Sequence, residues 1–245
     1  MKTTHSSILI TGASQRVGAA IAKRLAGANN IILHYHQSMD AAEALAAELR
    51  AKGVKVTPWQ QDLRANNLTE SFRKLISDVG AIDVLINNAA VFYPDRDRAG
   101  EITSEFYDEV MRVNTWAPLC LMQEMARALP DGAAGNIINI LDQRVLNISH
   151  AFPVYTASKS ALWALTKNMA AVLAPHIRVN AIAPGHVLPS VGESEDIFRA
   201  RQAKTPLGIG PTPEDIAATV EMILNSPSMT GACVPLDGGE HLVPK

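Results

Sequence analysis

The sequence predicts a doubly wound α/β fold built on a parallel sheet of seven strands. Three observations lead there. Short apolar runs alternate with helical segments along the whole 245 residues. Most of these runs are continuously apolar, as strands covered on both faces are. No Pro/Gly/Ser-rich linker, repeat or low-complexity tract divides the chain, so successive βαβ units belong to one domain spanning 1–245.

The elements follow in order. Residues 7–11 form an apolar run ended by Gly12, and residues 16–27 carry an Ala- and Leu-rich helical pattern. Residues 31–35 are a second strand, and 40–52 a helix with Glu43, Glu48 and Arg50 on its polar side. Residues 54–59 alternate, 67–79 read as helix, and 83–86 are a short buried strand. Residues 104–129 read as one long helix with a bend at Pro118, because proline removes a helical donor. Strand 136–141, helix 154–174, strand 177–182, helix 213–225 and strand 233–236 complete the series. The largest irregular stretch runs from 184 to about 191, ahead of a weakly amphipathic segment at 193–204. Long connections in compact domains are commonly functional, so residues 186–204 are read as a substrate flap.

Composition narrows the function class. The net charge of -2 argues against a nucleic-acid footprint. No apolar run reaches the length of a membrane span. Residues 1–5 lead into too short an apolar run for a signal peptide. Cys120 and Cys233 lie in apolar or small-residue surroundings, which suits free thiols and a cytoplasmic location.

Thr11-Gly12-Ala13-Ser14-Gln15-Arg16-Val17-Gly18 links the first strand to the first helix. A helix N-terminus offers unpaired N–H groups and a partial positive charge, which suits a pyrophosphate. Gly12 permits the tight turn and Gly18 a close helix–sheet approach, while Arg16 replaces the usual middle glycine. A plain strand-to-helix turn is the alternative. The second strand ends in Leu33-His34-Tyr35-His36-Gln37-Ser38. An NAD-preferring site places an acid there, and His36 stands 18 residues after Gly18 in its stead. His36, Ser38 and Arg16 can donate to a 2′-phosphate, so NADPH is the expected cofactor. Otherwise His34 and His36 are ordinary strand residues. Asp62, next to Leu63 after the third strand, either accepts from an adenine amino group or caps the following segment.

Tyr155 and Lys159 stand four apart at the start of a helix, so phenol and ammonium share one face. A neighbouring cation favours phenolate, and the pair is expected to act as a proton donor near neutral pH. Asn114 lies in the long helix, Asn88, Ala89 and Ala90 follow the fourth strand, and Pro184, Gly185 and Val187 follow the sixth. Strand C-terminal ends are where open α/β sheets bind ligands.

TGASQRVG, NNAA, the Asn114 site, YTASK, RVNAIAPG and PLDGG occur in the order and spacing of the classical short-chain dehydrogenases/reductases. The chain resembles that family over about 230 residues. The resemblance implies a Rossmann-type sheet of order 3-2-1-4-5-6-7 and a homotetramer. It implies Tyr155 as proton donor, Lys159 on the cofactor ribose and tuning Tyr155, and Asn114 holding a proton-relay water. One departure stands out: the family's serine, thirteen residues before the tyrosine, is Asp142 here.

Asp142, Arg16 and the His34-Tyr35-His36-Gln37-Ser38 run together resemble the pteridine reductase branch, including dihydromonapterin reductases. There an aromatic at the position of Phe92 stacks a pterin against the nicotinamide. The resemblance thus implies reduction of a dihydropterin (dihydrobiopterin, dihydromonapterin or dihydrofolate type) to a tetrahydropterin. Arg16, Phe92, Asp142 and Tyr155 would touch the substrate. Phe92 as a packing residue is the plainer alternative. The rival functions are a carbonyl reductase of 3-oxoacyl thioesters or small ketones, and a non-catalytic NADP(H)-binding protein that has lost its serine.

Overall fold

The computed structural model describes residues 6–27, 29–190 and 192–244. The leader reading of residues 1–5 and the Val191 end of the irregular stretch lie outside them.

Strand β1 (Ser7–Ile10) passes through the glycine turn into α1 (Arg16–Leu25), and β2 (Asn30–Tyr35) into α2 (Met39–Arg50). Strand β3 (Val56–Gln60), α3 (Leu68–Val79) and β4 (Val84–Asn87) follow. Helix α4 (Ser104–Met111), α5 (Ala117–Ala128) and β5 (Gly135–Ile140) come next. Then come α6 (Pro153–Leu173), β6 (Ile177–Pro184), α7 (Glu195–Gln202), α8 (Pro213–Leu224) and β7 (Cys233–Leu236). Every neighbouring pair is parallel, in the order β3-β2-β1-β4-β5-β6-β7.

The two-residue period of a strand sorts its side chains between the sheet's two covered faces. Ile8 and Ile10 pack with Ile21, Leu25 and Val220, from α1 and α8. Leu9, between them, packs with Phe72, Leu121 and Leu162, from α3, α5 and α6. Burial on both faces is why these strands read as unbroken apolar runs. Strand β1 lies between β2 and β4, so the order reverses there and a crevice opens beyond the strands' C-terminal ends. Among the described residues, no helix is long and apolar enough to cross a membrane. Cys120 and Cys233 are free thiols, the first buried and the second half-buried.

Three sequence expectations need correction. The 104–129 helix is interrupted not at Pro118 but before it, by a π-turn over Arg112–Trp116 in which the Ala117 N–H bonds the Arg112 carbonyl. Pro118 has no N–H for the Asn114 carbonyl, so the turn absorbs the missing bond upstream of the proline. The segment at 193–204 contains a regular helix, α7, whose N-terminus Ser194 caps by accepting from the Ile197 N–H. The longest irregular connection is not 184–191 but 88–103, between β4 and α4.

That connection carries Asp97, only 2 % exposed. Its carboxylate accepts the Val154 and Tyr155 N–H groups at 3.0 and 2.8 Å, capping α6 from outside its own segment. An acid at a helix N-terminus also meets the favourable end of the dipole. Asp97→Ala leaves two N–H groups without this acceptor. It should lower unfolding stability by about 1–3 kcal/mol, read as a fall in urea midpoint at unchanged slope.

Candidate active site

The turn after β1 is built by close approach. Gly12 has φ +63°, and a Cβ on Gly18 would stand 2.2 Å from the Gly12 carbonyl oxygen. The Thr11 hydroxyl accepts from the Asn88 and Ala89 N–H groups at 3.0 Å each. Asn88 Nδ2 donates back to the Thr11 and Gly12 carbonyls at 2.9 and 3.1 Å. The exits of β1 and β4 are thereby tied together. Arg16 replaces a glycine yet still adopts φ +54°, a left-handed conformation that costs a side-chain-bearing residue about 1–3 kcal/mol.

Two cavities flank this crossing. The first, about 400 Å³, is lined by Gly12, Ser14, His36, Ser38, Leu63 and Ala90, among others. Asp62 lies in it but is already engaged. Arg64 reaches it through Nε and Nη2 at 3.0 Å each, and His36 Nε2 stands 3.6 Å away. Burial raises the Asp62 pKa, but the Arg64 hydrogen bonds and charge outweigh it and leave the group below its usual value. Arg16 does not join His36 and Ser38. Its Nη2 donates to the Pro189 carbonyl at 2.9 Å, and it lines the second cavity with Val17.

The second cavity, about 670 Å³, holds the sequence-predicted Phe92, Asp142, Tyr155, Gly185 and Val187. Tyr155 donates through its hydroxyl to Asp142 Oδ2 at 3.3 Å. Asp142 Oδ1 accepts the Arg144 N–H at 2.9 Å, and the Arg144 Nε stands 3.9 Å from it. Burial raises the Asp142 carboxyl above the usual carboxylate range, against Arg144 and Lys159. Burial, then the Asp142 charge, pushes the Tyr155 phenol well above 10. This corrects the expectation that Lys159 lowers it. The Lys159 Nζ donates to the Ile140 carbonyl at 2.8 Å and stands 5.9 Å from the Tyr155 ring centre, too withdrawn to offset desolvation. Carboxyl and phenol thus each hold a proton more readily than in water, an arrangement suited to delivering a proton.

Asn114 sits in the π-turn, a feature frequent at functional sites. Its side chain clamps Val91, accepting from the N–H at 2.8 Å and donating to the carbonyl at 3.0 Å, and donates to Ser158 Oγ at 3.1 Å. Pro184 ends β6, and the Gly185 N–H bonds the Leu236 carbonyl at 3.0 Å. A Cβ on Gly185 would meet Asp237 at 2.8 Å.

Sequence reasoning missed several wall residues. Phe152, at φ +58°, sits edge-on to Phe92 with ring centres 4.9 Å apart, and Phe92 is 4.7 Å from the Tyr155 ring. Arg144 lies over Phe152 at 5.0 Å and bonds the Ser149 hydroxyl. Gln143 Nε2 donates to Glu240 Oε1 at 3.0 Å, bringing the C-terminal turn to the wall. Proximity of Gln143 and Arg144 to Asp142 was a usable signal; nothing local marked Glu240.

Lys159 is 2 % exposed, and burial lowers its pKa from 10.5 to about 8. The folded state therefore binds fewer protons than the unfolded state between those values, and its stability rises with pH there. The Lys159 contribution is present above 10.5 and lost as pH falls to about 8. Relative to Lys159→Met, wild type should gain roughly 3 kcal/mol across that window in urea unfolding.

A family model described as short chain dehydrogenase matches residues 6–197. The structure of FolM alternative dihydrofolate reductase 1 from Brucella suis, in complex with NADP, is similar at TM-score 0.92 and 35% identity. The match covers 98% of this chain and 96% of that one. Pteridine reductase 1 of Leishmania tarentolae is 32% identical over 280 residues, covering 96% of each chain. The 3-oxoacyl-(acyl-carrier-protein) reductase FabG of Staphylococcus epidermidis is 29% identical over 245 residues, covering 97% of this chain and all of that one. With the tied β1–β4 exits, the Tyr155–Lys159 pair and the sheet order, this match establishes that the chain belongs to the short-chain dehydrogenase/reductase family.

Proposed function

We propose that this protein reduces dihydropterins to tetrahydropterins with NADPH. The observation that carries the reading is the Asp142–Tyr155 hydrogen bond, facing a cavity edged by Phe92. A carbonyl-reducing site uses a neutral hydroxyl at the place of Asp142 to polarise the substrate oxygen. A carboxyl there suits a nitrogen heterocycle, which offers N–H donors and takes up a proton.

The cofactor is NADPH. The glycine turn leaves no room for a Cβ at Gly18 and opens on the start of α1, as a pyrophosphate requires. Gly12, Ser14, Val17 and Gly18 would hold the phosphates, and His36 and Ser38 the 2′-phosphate. Leu63 and Asp62 would flank the adenine. Asn88, Ala89, Ala90 and Lys159 would hold the nearer ribose, and Pro184, Gly185 and Val187 the nicotinamide. When bound, NADPH supplies the hydride. The FolM structure, described as complexed with NADP, supports this cofactor choice.

Phe92 offers a stacking face that orients the heterocycle, with Arg16 at the cavity's other side. Tyr155 passes its phenolic proton to the ring nitrogen, so that a C=N bond becomes CH–NH. Asp142 hands a proton on to Tyr155 and bonds the substrate's amino edge. Lys159 supplies positive charge to the pair, and Asn114 fixes Val91 and Ser158 around it. Its carbonyl, without an α-helical donor because of Pro118, would hold the relay water. Residues 186–204 form the flap. The family implies a homotetramer as the active form, and the free thiols suit a cytoplasmic location.

NADPH consumption with dihydrobiopterin, dihydromonapterin, dihydrofolate and acetoacetyl thioester tests the reading. At least one dihydropterin should be turned over with the highest kcat/KM. Asp142→Ala and Tyr155→Phe should each lower that kcat/KM by about 10²-fold or more. Preference for the thioester would establish a carbonyl reductase, as the FabG likeness suggests. NADPH binding without turnover of any substrate would leave a binding protein.

A further inference from the structure

His34 is a buried titratable group that the chemistry above does not use. It lies on β2, 2 % exposed. Its Nδ1 is 2.9 Å from the Gly12 nitrogen, and its Nε2 is 3.0 Å from the Gln61 carbonyl oxygen. The Gly12 N–H can only donate, so Nδ1 must be the bare acceptor. The Gln61 carbonyl can only accept, so Nε2 must carry the proton. The two partners select one neutral tautomer. The His34 carbonyl also accepts the Ala13 N–H at 2.9 Å. One residue therefore holds both N–H groups at the start of the turn, and binds β1, β2 and the end of β3 together. These donors are spent on the scaffold, which leaves the N–H groups at the start of α1 for an anion.

We propose that neutral His34 is the positioning residue of the phosphate-binding turn, and that protonating it releases Gly12 and weakens NADP(H) binding. An imidazolium donates from both nitrogens, so its Nδ1–H would confront the Gly12 N–H and one of them must move. The proposal rests on the cofactor reading above. The neighbouring charges do not favour protonation on balance. His36, beyond the same strand, opposes it; Asp62, after β3, favours it but is paired with Arg64. From β3 the ring meets Trp59, with ring centres 5.2 Å apart, and from the β1 turn the Gly12 amide. Burial dominates and lowers the His34 pKa to about 4. A ring neutral at ordinary pH is what the tautomer requires.

The test is NADP+ titration by calorimetry from pH 8 to 3.5 on wild type, His34→Leu and His34→Asn. It is paired with ¹⁵N NMR of the His34 ring and the Gly12 amide in cofactor-free protein. His34→Leu should weaken NADP+ binding at pH 7.5 by about tenfold or more, the loss of one buried hydrogen bond. His34→Asn, which can accept from Gly12 and cannot be protonated, should recover most of that. The ratio of wild-type to Asn affinity should then fall below pH 5, to about half its pH 7.5 value near pH 4; taking the ratio cancels titration of the 2′-phosphate and of His36. The ring should show the Nε2–H tautomer, and the Gly12 amide should shift as His34 protonates.

Binding by His34→Leu within twofold of wild type, a flat ratio, or an Nδ1–H tautomer would each overturn the proposal. If His34→Leu does not fold, the Asn ratio and the Gly12 amide decide the matter. Failure of wild type to bind NADP+ at pH 7.5 would sink the cofactor reading and the binding half of the proposal. A Gly12 amide indifferent to His34 protonation would sink the latch alone.

Discussion

Three ionisable side chains, the buried Lys159 and the half-buried Asp142 and Tyr155, are crowded together beside the larger cavity, and the rest of the site is arranged around that constraint. Each charge state then depends on neighbours more than on solvent. Desolvation drives the carboxyl and phenol toward their protonated forms and the amine toward its neutral one. Such a group needs a rigid frame, because small displacements change which proton is shared. The frame is visible. Lys159 is fastened to the Ile140 carbonyl at the end of β5, the α6 N-terminus is capped by Asp97, and Asn114 clamps Ser158 and Val91. Strand end, helix start and π-turn converge on one point.

The same region carries the backbone strain. Arg16 and Phe152 are left-handed without being glycine, and both line the larger cavity. Strain persists where surroundings over-determine a conformation. Around Arg16 the surroundings are the Thr11–Asn88 ties and the bond to Pro189, which joins the turn after β1 to the loop after β6. Around Phe152 they are Pro153, which disfavours the right-handed helical region for the residue before it, and the Phe92 and Arg144 contacts. In both places the strained residue contributes to the wall of the cavity.

The proposed substrate class rests on a single exchange within a shared scaffold. The chain resembles reductases named for pteridines and reductases named for 3-oxoacyl thioesters to similar degrees. Overall likeness therefore does not discriminate between them. The feature on which the proposal rests is chemical: a carboxyl at 142, bonded to the Tyr155 phenol, with aromatic faces beside it. A carboxyl can both donate and accept, whereas a developing ketone oxyanion needs only donors.

The sequence by itself determined the sheet, most of its helices and part of the lining of each cavity. Strand runs buried on both faces, the turn from Thr11 to Gly18 and the YTASK spacing are local patterns, each carrying its structural meaning within a few residues. It also singled out Asp142, because a substitution within a dense motif is readable without coordinates. Only the tertiary structure decided how those residues are wired. Asp97 reaches Val154 on α6 from 57 residues away, Glu240 reaches Gln143 from 97, and Arg16 bonds Pro189 across 173. No window of sequence contains both partners. The phenol's pKa direction was misjudged for the same reason: Lys159 is adjacent by helical spacing, but its ammonium is spent on a strand carbonyl, and burial outweighs it. His34 looked like an ordinary strand residue until its two ring nitrogens were found facing a donor on β1's turn and an acceptor after β3. Periodicity is local, whereas burial and hydrogen-bond closure are properties of the assembled sheet.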